Sequence, residues 1–335
     1  MTPKERIMTA LAIKEPDCVP FADWMDEHVK KNLIKAMGEP PLDDAQFAKR
    51  LNMDALCFYS DRYLAPQFCK KAIGVDGREL LTDEGLLRSD DDLDKMMLPD
   101  LKDDAFFDEA KKYLDRYGNE DLAIFCGLRP GMMNTIYSMG WMDFSIALAE
   151  NVKLVETIFD RYVDWNCELL EKLQPLGFDF FVAYDDIAYN SGPMFSPQIL
   201  RELFLPRLRR LTEMFTIPWV YHSDGDLTRI LDDLLTLGMN GINPFQPPVM
   251  DIEKFKAEYG DRICLWGNID LVYTLPFGTV EEVEAEVKQR IKKLAPGGGY
   301  ILGSANSIME SCKPENVFAM AEAKNKYGRY PIDLN

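Results

Sequence analysis

The sequence predicts a (β/α)8 TIM barrel. Three observations carry that expectation: a length of 335 residues, eight short and near-continuously apolar runs, and amphipathic helical stretches between several of them. A chain this long with 47% hydrophobic content can bury a large core, and a barrel wrapped in helices uses about this much chain as one domain. Residues 1–335 are therefore read as a single (β/α)8-barrel domain with an N-terminal helical extension.

The elements follow in chain order. A helix over Pro3 to Leu11 precedes the first strand and is expected to cap the barrel bottom. The strand candidates are Val19–Trp24, Ala55–Tyr59, Leu122–Cys126, Phe178–Tyr184, Ile217–His222, Met239–Asn243, Arg262–Gly267 and Tyr300–Gly303. Their apolar character is that of parallel strands covered on both faces. Among the helical stretches, 280–294 places Val280, Val283, Val287, Ile291 and Leu294 on one face. Pro296-Gly297-Gly298-Gly299 then stops it as a C-cap and turn; a phosphate cradle would follow a strand instead of preceding one. Alternation of this kind means a closed barrel or an open doubly wound sheet, and the lack of a Gly-x-Gly-x-x-Gly turn after the first strand favours the barrel.

Composition narrows the partners. Lys and Arg total 38 against 56 Asp and Glu, a formal charge of −18, so the long-range field repels phosphate backbones and anionic membrane surfaces. Asp90-Asp91-Asp92-Leu93-Asp94 and Asp103-Asp104 read as solvated loops or helix starts. Seven cysteines without close pairing fit reduced thiols. With no signal segment and no run as long as a membrane span, the expected location is the cytoplasm.

In a parallel barrel the chemistry gathers at strand C-terminal ends. Those ends read Ser60-Asp61-Arg62, Gly127-Leu128-Arg129, Tyr184-Asp185-Asp186, His222-Ser223-Asp224, Gly267-Asn268-Ile269-Asp270 and Ser304-Ala305-Asn306-Ser307. Of the 2 histidines, His28 lies in a charged stretch and reads as an exposed residue at a helix start, whereas His222 closes an apolar strand. His-x-Asp on extended chain points both side chains the same way, which suits a divalent metal if Asp185 or Asp186 supplies a further carboxylate. The same acids equally suit helix caps or ion pairs with Arg129 or Arg62. Trp266, Tyr184, Tyr189, Tyr137 and Met132 are candidate walls of an aromatic pocket, with plain core as the other reading.

The chain also resembles the uroporphyrinogen decarboxylase superfamily. The resemblance rests on Lys4-Glu5-Arg6 through Glu15-Pro16-Asp17-Cys18-Val19-Pro20, Ser60-Asp61 with Pro66 after it, and Ser196-Pro197 followed by Phe204-Leu205-Pro206. It continues in His222-Ser223-Asp224-Gly225-Asp226, Tyr259-Gly260 to Gly267-Asn268-Ile269-Asp270, and Gly297-Gly298-Gly299-Tyr300 to Pro314-Glu315-Asn316. It implies a barrel and one of two activities: decarboxylation of an acidic tetrapyrrole, or methyl transfer involving a corrinoid carried on a separate protein.

The decarboxylases of that superfamily hold substrate carboxylates with an arginine-rich segment after the first strand, where this chain reads Asp23-Trp24-Met25-Asp26-Glu27. Their late histidine falls near Ser304 here, although Asp61 and Tyr137 are similar to positions that matter to them. Methyltransferases that activate a thiol hold zinc through His-x-Cys and a later cysteine; the matching positions are His222-Ser223-Asp224 and, approximately, Asn306. Without the sulfurs a thiol acceptor is disfavoured. The resemblance thus implies the methyltransferase branch: a methyl group moving from a methoxylated aromatic, or another methylated small molecule, to the cobalt of a corrinoid-binding partner protein. A decarboxylase-like lyase is the alternative. The expected catalytic and metal residues are Asp186, His222 and Asp224, holding a divalent cation with zinc as first candidate. Asp61, Arg129, Tyr137, Tyr184, Asn268, Ser304 and Asn306 are expected to bind substrate.

Overall fold

The computed structural model describes residues 1–64, 68–74 and 79–334; Pro66 lies outside them. Among the described residues, parallel strands Ala55–Phe58, Ala123–Leu128, Phe180–Tyr184, Trp219–His222, Gly241–Asn243, Cys264–Ile269 and Tyr300–Ser304 form one seven-stranded sheet, each pairing with the next in chain order. The first expected strand, 19–24, is reduced to isolated bridges, Phe21 with Leu302 and Met25 with Ile308. Two features interrupt its ladder. Pro20 has no N–H to donate, and the N–H of Phe21 goes to the Asp54 carboxylate at 2.8 Å.

That segment still closes the ring. The Ala22 N–H donates to the Leu302 carbonyl at 3.0 Å, the Leu302 N–H to Pro20 at 2.8 Å, and the Asp54 N–H to Phe21 at 2.6 Å. Residues 20–22 therefore lie between the last strand and the first, and the sheet edges are joined into the expected eight-membered barrel.

Alternation along the strands sorts their side chains. Ala22, Ala55, Ala123, Phe125, Phe180, Val182, Val220, Cys264, Trp266 and Ile301 fill the interior, while the residues between them, such as Ile124, Cys126, Phe181 and Leu302, pack under the surrounding helices. The helix Pro3–Leu11 forms over the expected residues because Thr2 and Glu5 make a capping box, and it inserts Ile7, Ala10 and Leu11 into the bottom of the interior cluster. The helix Val280–Leu294 also matches its expected span, again with a capping box, from Thr279 and Glu282. Gly297, Gly298 and Gly299 follow it, all with positive φ. The acidic run at 90–94 starts a short 3-10 helix, with Asp92 accepting from Ser89. No helix among the described residues is long and apolar enough to cross a membrane.

Two antiparallel hairpins lie outside the barrel sheet, Cys69–Ile73 with Glu79–Gly85, and Ala188–Tyr189 with Gly192–Pro193. A cavity of about 670 Å³ lies beside the N-terminal helix, at the barrel bottom, where Arg6, Asp17, Asp54 and Lys324 are already joined in ion pairs. A second, of about 500 Å³, opens beside Trp24 and Tyr59 at the other end. In parallel barrels that other end, above the strand C-termini, is where chemistry is placed.

Candidate metal centre

Strand register brings the site together. Tyr184 pairs across to His222 and His222 to Asn243, so three neighbouring strands end at one level. Two residues further on, with the same inward parity, come Asp186 and Asp224. Gly225 then turns the chain with φ of +87°, and a Cβ there would lie 2.4 Å from the Ala188 carbonyl oxygen, so only glycine fits.

His222 is buried, and its orientation follows from its neighbours. The Asn243 side-chain amide donates to the Trp266 carbonyl at 3.1 Å, which leaves its oxygen facing His222 Nδ1 at 2.6 Å. Nδ1 therefore carries the proton, and Nε2 presents its lone pair to the mouth. Trp24 stands edge-on to the imidazole at 5.5 Å between centroids and Tyr184 packs at 5.0 Å, so two aromatic rings restrict its motion.

Nε2 faces the Asp186 carboxylate at 3.7 Å, and the same carboxylate accepts the Asp224 N–H at 3.0 Å. Asp224 is fixed by the Asn306 side chain, whose amide donates to Oδ2 at 2.6 Å. Its other oxygen, Oδ1, is buried and has no hydrogen-bond partner. Donor atoms of Asp186, His222 and Asp224 all lie within 4.8 Å of one another. Burial pushes the Asp224 carboxyl above the usual carboxylate range, and Asp186 adds to that, while His222 and Asn306 pull it down. Lone pairs converging with an orphaned carboxylate oxygen are a poor arrangement without a positive charge between them, and one nitrogen with two carboxylates is a donor set suited to a divalent cation. The residues present fit such an ion. Replacing Asn243 by alanine would free the imidazole to rotate and should weaken the binding of a divalent ion about 10- to 100-fold. A chelator-competition titration giving unchanged affinity would refute that role for Asn243.

The other expected residues are distributed as follows. Asp185 is fully buried and accepts the N–H groups of Met132 and Met133 at 3.0 and 2.7 Å, so it anchors the start of the helix Met132–Met139 and does not join the cluster. Burial raises its carboxyl to about 7 against the pull of those two N–H groups. Arg129 lies over the Tyr137 ring at 5.7 Å. Asn268 is buried, donates to the Phe245 carbonyl at 2.9 Å, and keeps an unpartnered Oδ1; the Tyr184 hydroxyl is likewise buried and unpartnered. Asp61 is exposed at the first residue of the helix Asp61–Leu64. Trp266 and Met132 are core, and Tyr189 is exposed beside Trp141. His28 is half-buried near the start of the helix Glu27–Ala36, with Nε2 3.3 Å from Glu310.

Ser304 is also buried, and both its N–H and its hydroxyl face Asp23, at 2.7 and 3.1 Å. Burial raises the Asp23 carboxyl to about 7, opposed by the Ser304 and Trp24 N–H groups and the Ser304 hydroxyl. A carboxyl raised from 3.8 keeps its proton in the folded state where the unfolded chain has released it. Its contribution to stability is therefore complete below about pH 4 and is lost as pH rises through about 7, an effect of roughly 4 kcal/mol as an upper bound. Asp23→Asn should flatten that part of the pH dependence in urea unfolding between pH 4.5 and 8. A wild-type and variant difference that stays constant across the window would refute it.

Three residues of the site escaped the sequence reading: Trp24, Asn243 and Asp23. Asn243 carried a legible signal, a lone polar side chain closing the apolar run 239–243. Asp23 carried none that distinguishes it from Asp26 and Glu27.

Fold and site together define a closed parallel barrel with an imidazole and two carboxylates gathered at its C-terminal mouth. The chain belongs to the uroporphyrinogen decarboxylase (URO-D) family, whose model matches residues 44–327. Its relatives include a methylcobamide:CoM methyltransferase MtaA of Methanosarcina barkeri, 24% identical over 202 residues, 56% of this chain and 58% of that protein. The chain thus aligns with little more than half the length of this methyltransferase. A uroporphyrinogen decarboxylase of Chloroherpeton thalassium is 21% identical over 304 residues, 84% of this chain and 81% of the relative. Among solved structures, a methyltransferase from Methanosarcina mazei superposes with a TM-score of 0.78 at 21% identity, covering 98% of this chain and 99% of that one, which shows the fold.

Proposed function

We propose that this protein is a corrinoid-dependent methyltransferase, the O-demethylating component that moves a methyl group from a methoxylated aromatic, or another methylated small molecule, to the cobalt of a corrinoid-binding partner protein. The observation that carries this reading is the donor set at the mouth: Asp186, His222 and Asp224 converge, with Asn306 holding Asp224, and among the described residues no cysteine takes part. Thiolate-poor sites do not suit activation of a thiol, whereas nitrogen and oxygen donors suit an ion acting on an oxygen atom. The methyltransferase relatives support the class of reaction, and the nitrogen and oxygen donors support a methyl group carried on oxygen.

A divalent cation, zinc first among candidates, would be held by Asp186, His222 and Asp224 and would supply Lewis acidity at the ether oxygen. That help matters because a phenol has a pKa of about 10, so an unassisted phenolate leaves slowly. The chain's own residues do the positioning. Asn243 keeps Nε2 turned to the mouth, Asn306 fixes the Asp224 carboxylate, and Trp24 and Tyr184 exclude water from beneath the imidazole. Asp61, Arg129, Tyr137, Tyr184, Asn268, Ser304 and Asn306 stand as the proposed substrate-binding residues. As the bond from oxygen to methyl breaks, its electron pair stays on oxygen, and the methyl carbon passes to the nucleophilic acceptor docked over the open mouth.

A decarboxylase-like lyase is the second reading, favoured by the greater length over which decarboxylase relatives align. Against it stand Asp26 and Glu27, exposed acids after the first strand position that would repel a polycarboxylate. Purified protein mixed with reduced corrinoid protein and a panel of methoxyarenes and methylamines should methylate cobalt, followed by absorbance. Loss of carbon dioxide from a porphyrinogen with no cobalt methylation would establish the second reading instead.

A further inference from the structure

We infer that Ser223 is a positioning residue of the metal centre: its hydroxyl is a wedge between two strand ends that sets the spacing of the Asp186 and Asp224 carboxylates for a divalent cation. This rests on the reading of those residues as a metal centre. The ladder between the strands Phe180–Tyr184 and Trp219–His222 is regular up to their ends, with the Phe181 N–H on the Pro218 carbonyl and the Asp185 N–H on the His222 carbonyl, each at 3.0 Å. Continued by two residues, the same register would put the Ile187 N–H on the Asp224 carbonyl and the Asp224 N–H on the Asp185 carbonyl. Both bonds are diverted.

Ser223 Oγ accepts the Ile187 N–H at 3.1 Å and donates to the Asp224 carbonyl at 3.0 Å, so two bonds stand in series where a ladder has one. The chains are held apart at that point. The Asp224 N–H turns to the Asp186 carboxylate at 3.0 Å, and the Asp185 carbonyl takes the Tyr221 hydroxyl at 3.2 Å. Asp186 therefore owes its place facing His222 Nε2 to a backbone N–H that the opened ladder releases. Beyond the wedge the chains close again, with Gly225 against the Ala188 carbonyl and the Asp226 N–H on the Tyr189 carbonyl at 3.0 Å. Ser223 is buried and lies between His222 and Asp224 with the opposite parity, so it spaces the donors and does not join them. Two carboxylates whose oxygens lie within 4.8 Å of one another repel, and a fixed backbone spacing keeps them converged before an ion arrives.

The test is a zinc titration against a competing chelator, independent of turnover, on folded wild type, Ser223→Ala, Ser223→Thr and Ser223→Val, with Asp224→Asn as the variant that removes a donor outright. Threonine and valine have one shape and differ in the hydroxyl, so their comparison isolates the wedge from the packing around it. Ser223→Ala and Ser223→Val should bind zinc about 10- to 100-fold more weakly than wild type, and Ser223→Thr should stay within about threefold of it. A role in stability alone would lower the urea midpoint of the alanine and valine variants and leave the zinc affinity of the folded protein unchanged. If the larger side chains prevent folding, wild type against Ser223→Ala decides. Wild-type affinity in Ser223→Ala, or equal affinities in the threonine and valine variants, would overturn the inference while loss of zinc in Asp224→Asn kept the centre. A wild type that binds no zinc would overturn the centre and the wedge together. Zinc binding that depends on the Ser223 hydroxyl, without cobalt methylation, would leave the wedge standing and refute the methyl-transfer reading.

Discussion

His222→Ala is expected to lower the proposed methyl transfer by about three orders of magnitude or more, since it removes the one nitrogen among the three donor groups of a centre proposed to supply several kcal/mol at the leaving oxygen. The barrel should remain folded. The substitution leaves a small cavity and an unpaired Asn243 Oδ1, a cost of about 1–3 kcal/mol that a large domain tolerates. Binding of the divalent ion should fall in step with activity, because one of its three donor groups is lost. Circular dichroism close to wild type, with turnover and ion affinity both lost, is the expected outcome. A folded and fully active variant would remove the imidazole from the site.

Trp266→Ala should have the largest effect on stability, about 3–5 kcal/mol. Trp266 is almost wholly buried inside the barrel, stands edge-on to Trp24 and Phe125 at 5.4 Å each, and donates from Nε1 to the Ala22 carbonyl at 2.8 Å. That last bond reaches the segment that closes the ring, so losing it weakens the seam as well as the core. Trp266→Phe keeps most of the packing and should cost less. A loss below about 1 kcal/mol for the alanine variant, measured by urea unfolding, would show that the interior repacks freely and does not hold the seam.

The architecture was legible because parallel strands buried on both faces leave apolar runs that few other elements produce, and those runs coincide with the observed strands to within a few residues. The helix 3–11 was equally plain, since its capping box is written in adjacent residues. What sequence could not give is which partner each polar side chain chooses. Asp185 and Asp186 are neighbours of one type, yet strand parity sends Asp185 outward to a helix start and Asp186 inward to the imidazole. Trp266 has an aromatic face fit for a pocket wall, but its parity and the bond to Ala22 place it in the core. Of the two features that break the first strand's ladder, Pro20 stands in the sequence, and the Asp54 carboxylate taking the N–H of Phe21 is visible only in three dimensions. The hairpin Cys69–Ile73 with Glu79–Gly85 went unforeseen because its strands are short and largely exposed, so no apolar alternation marks them.

X-ray absorption at the zinc edge of protein loaded with one equivalent of zinc asks most directly whether the strand ends form one centre. The account expects a first shell of nitrogen and oxygen at about 2.0–2.2 Å, with imidazole outer-shell scattering and no sulfur. A sulfur shell at about 2.3 Å, or zinc that washes off without having bound, would contradict it.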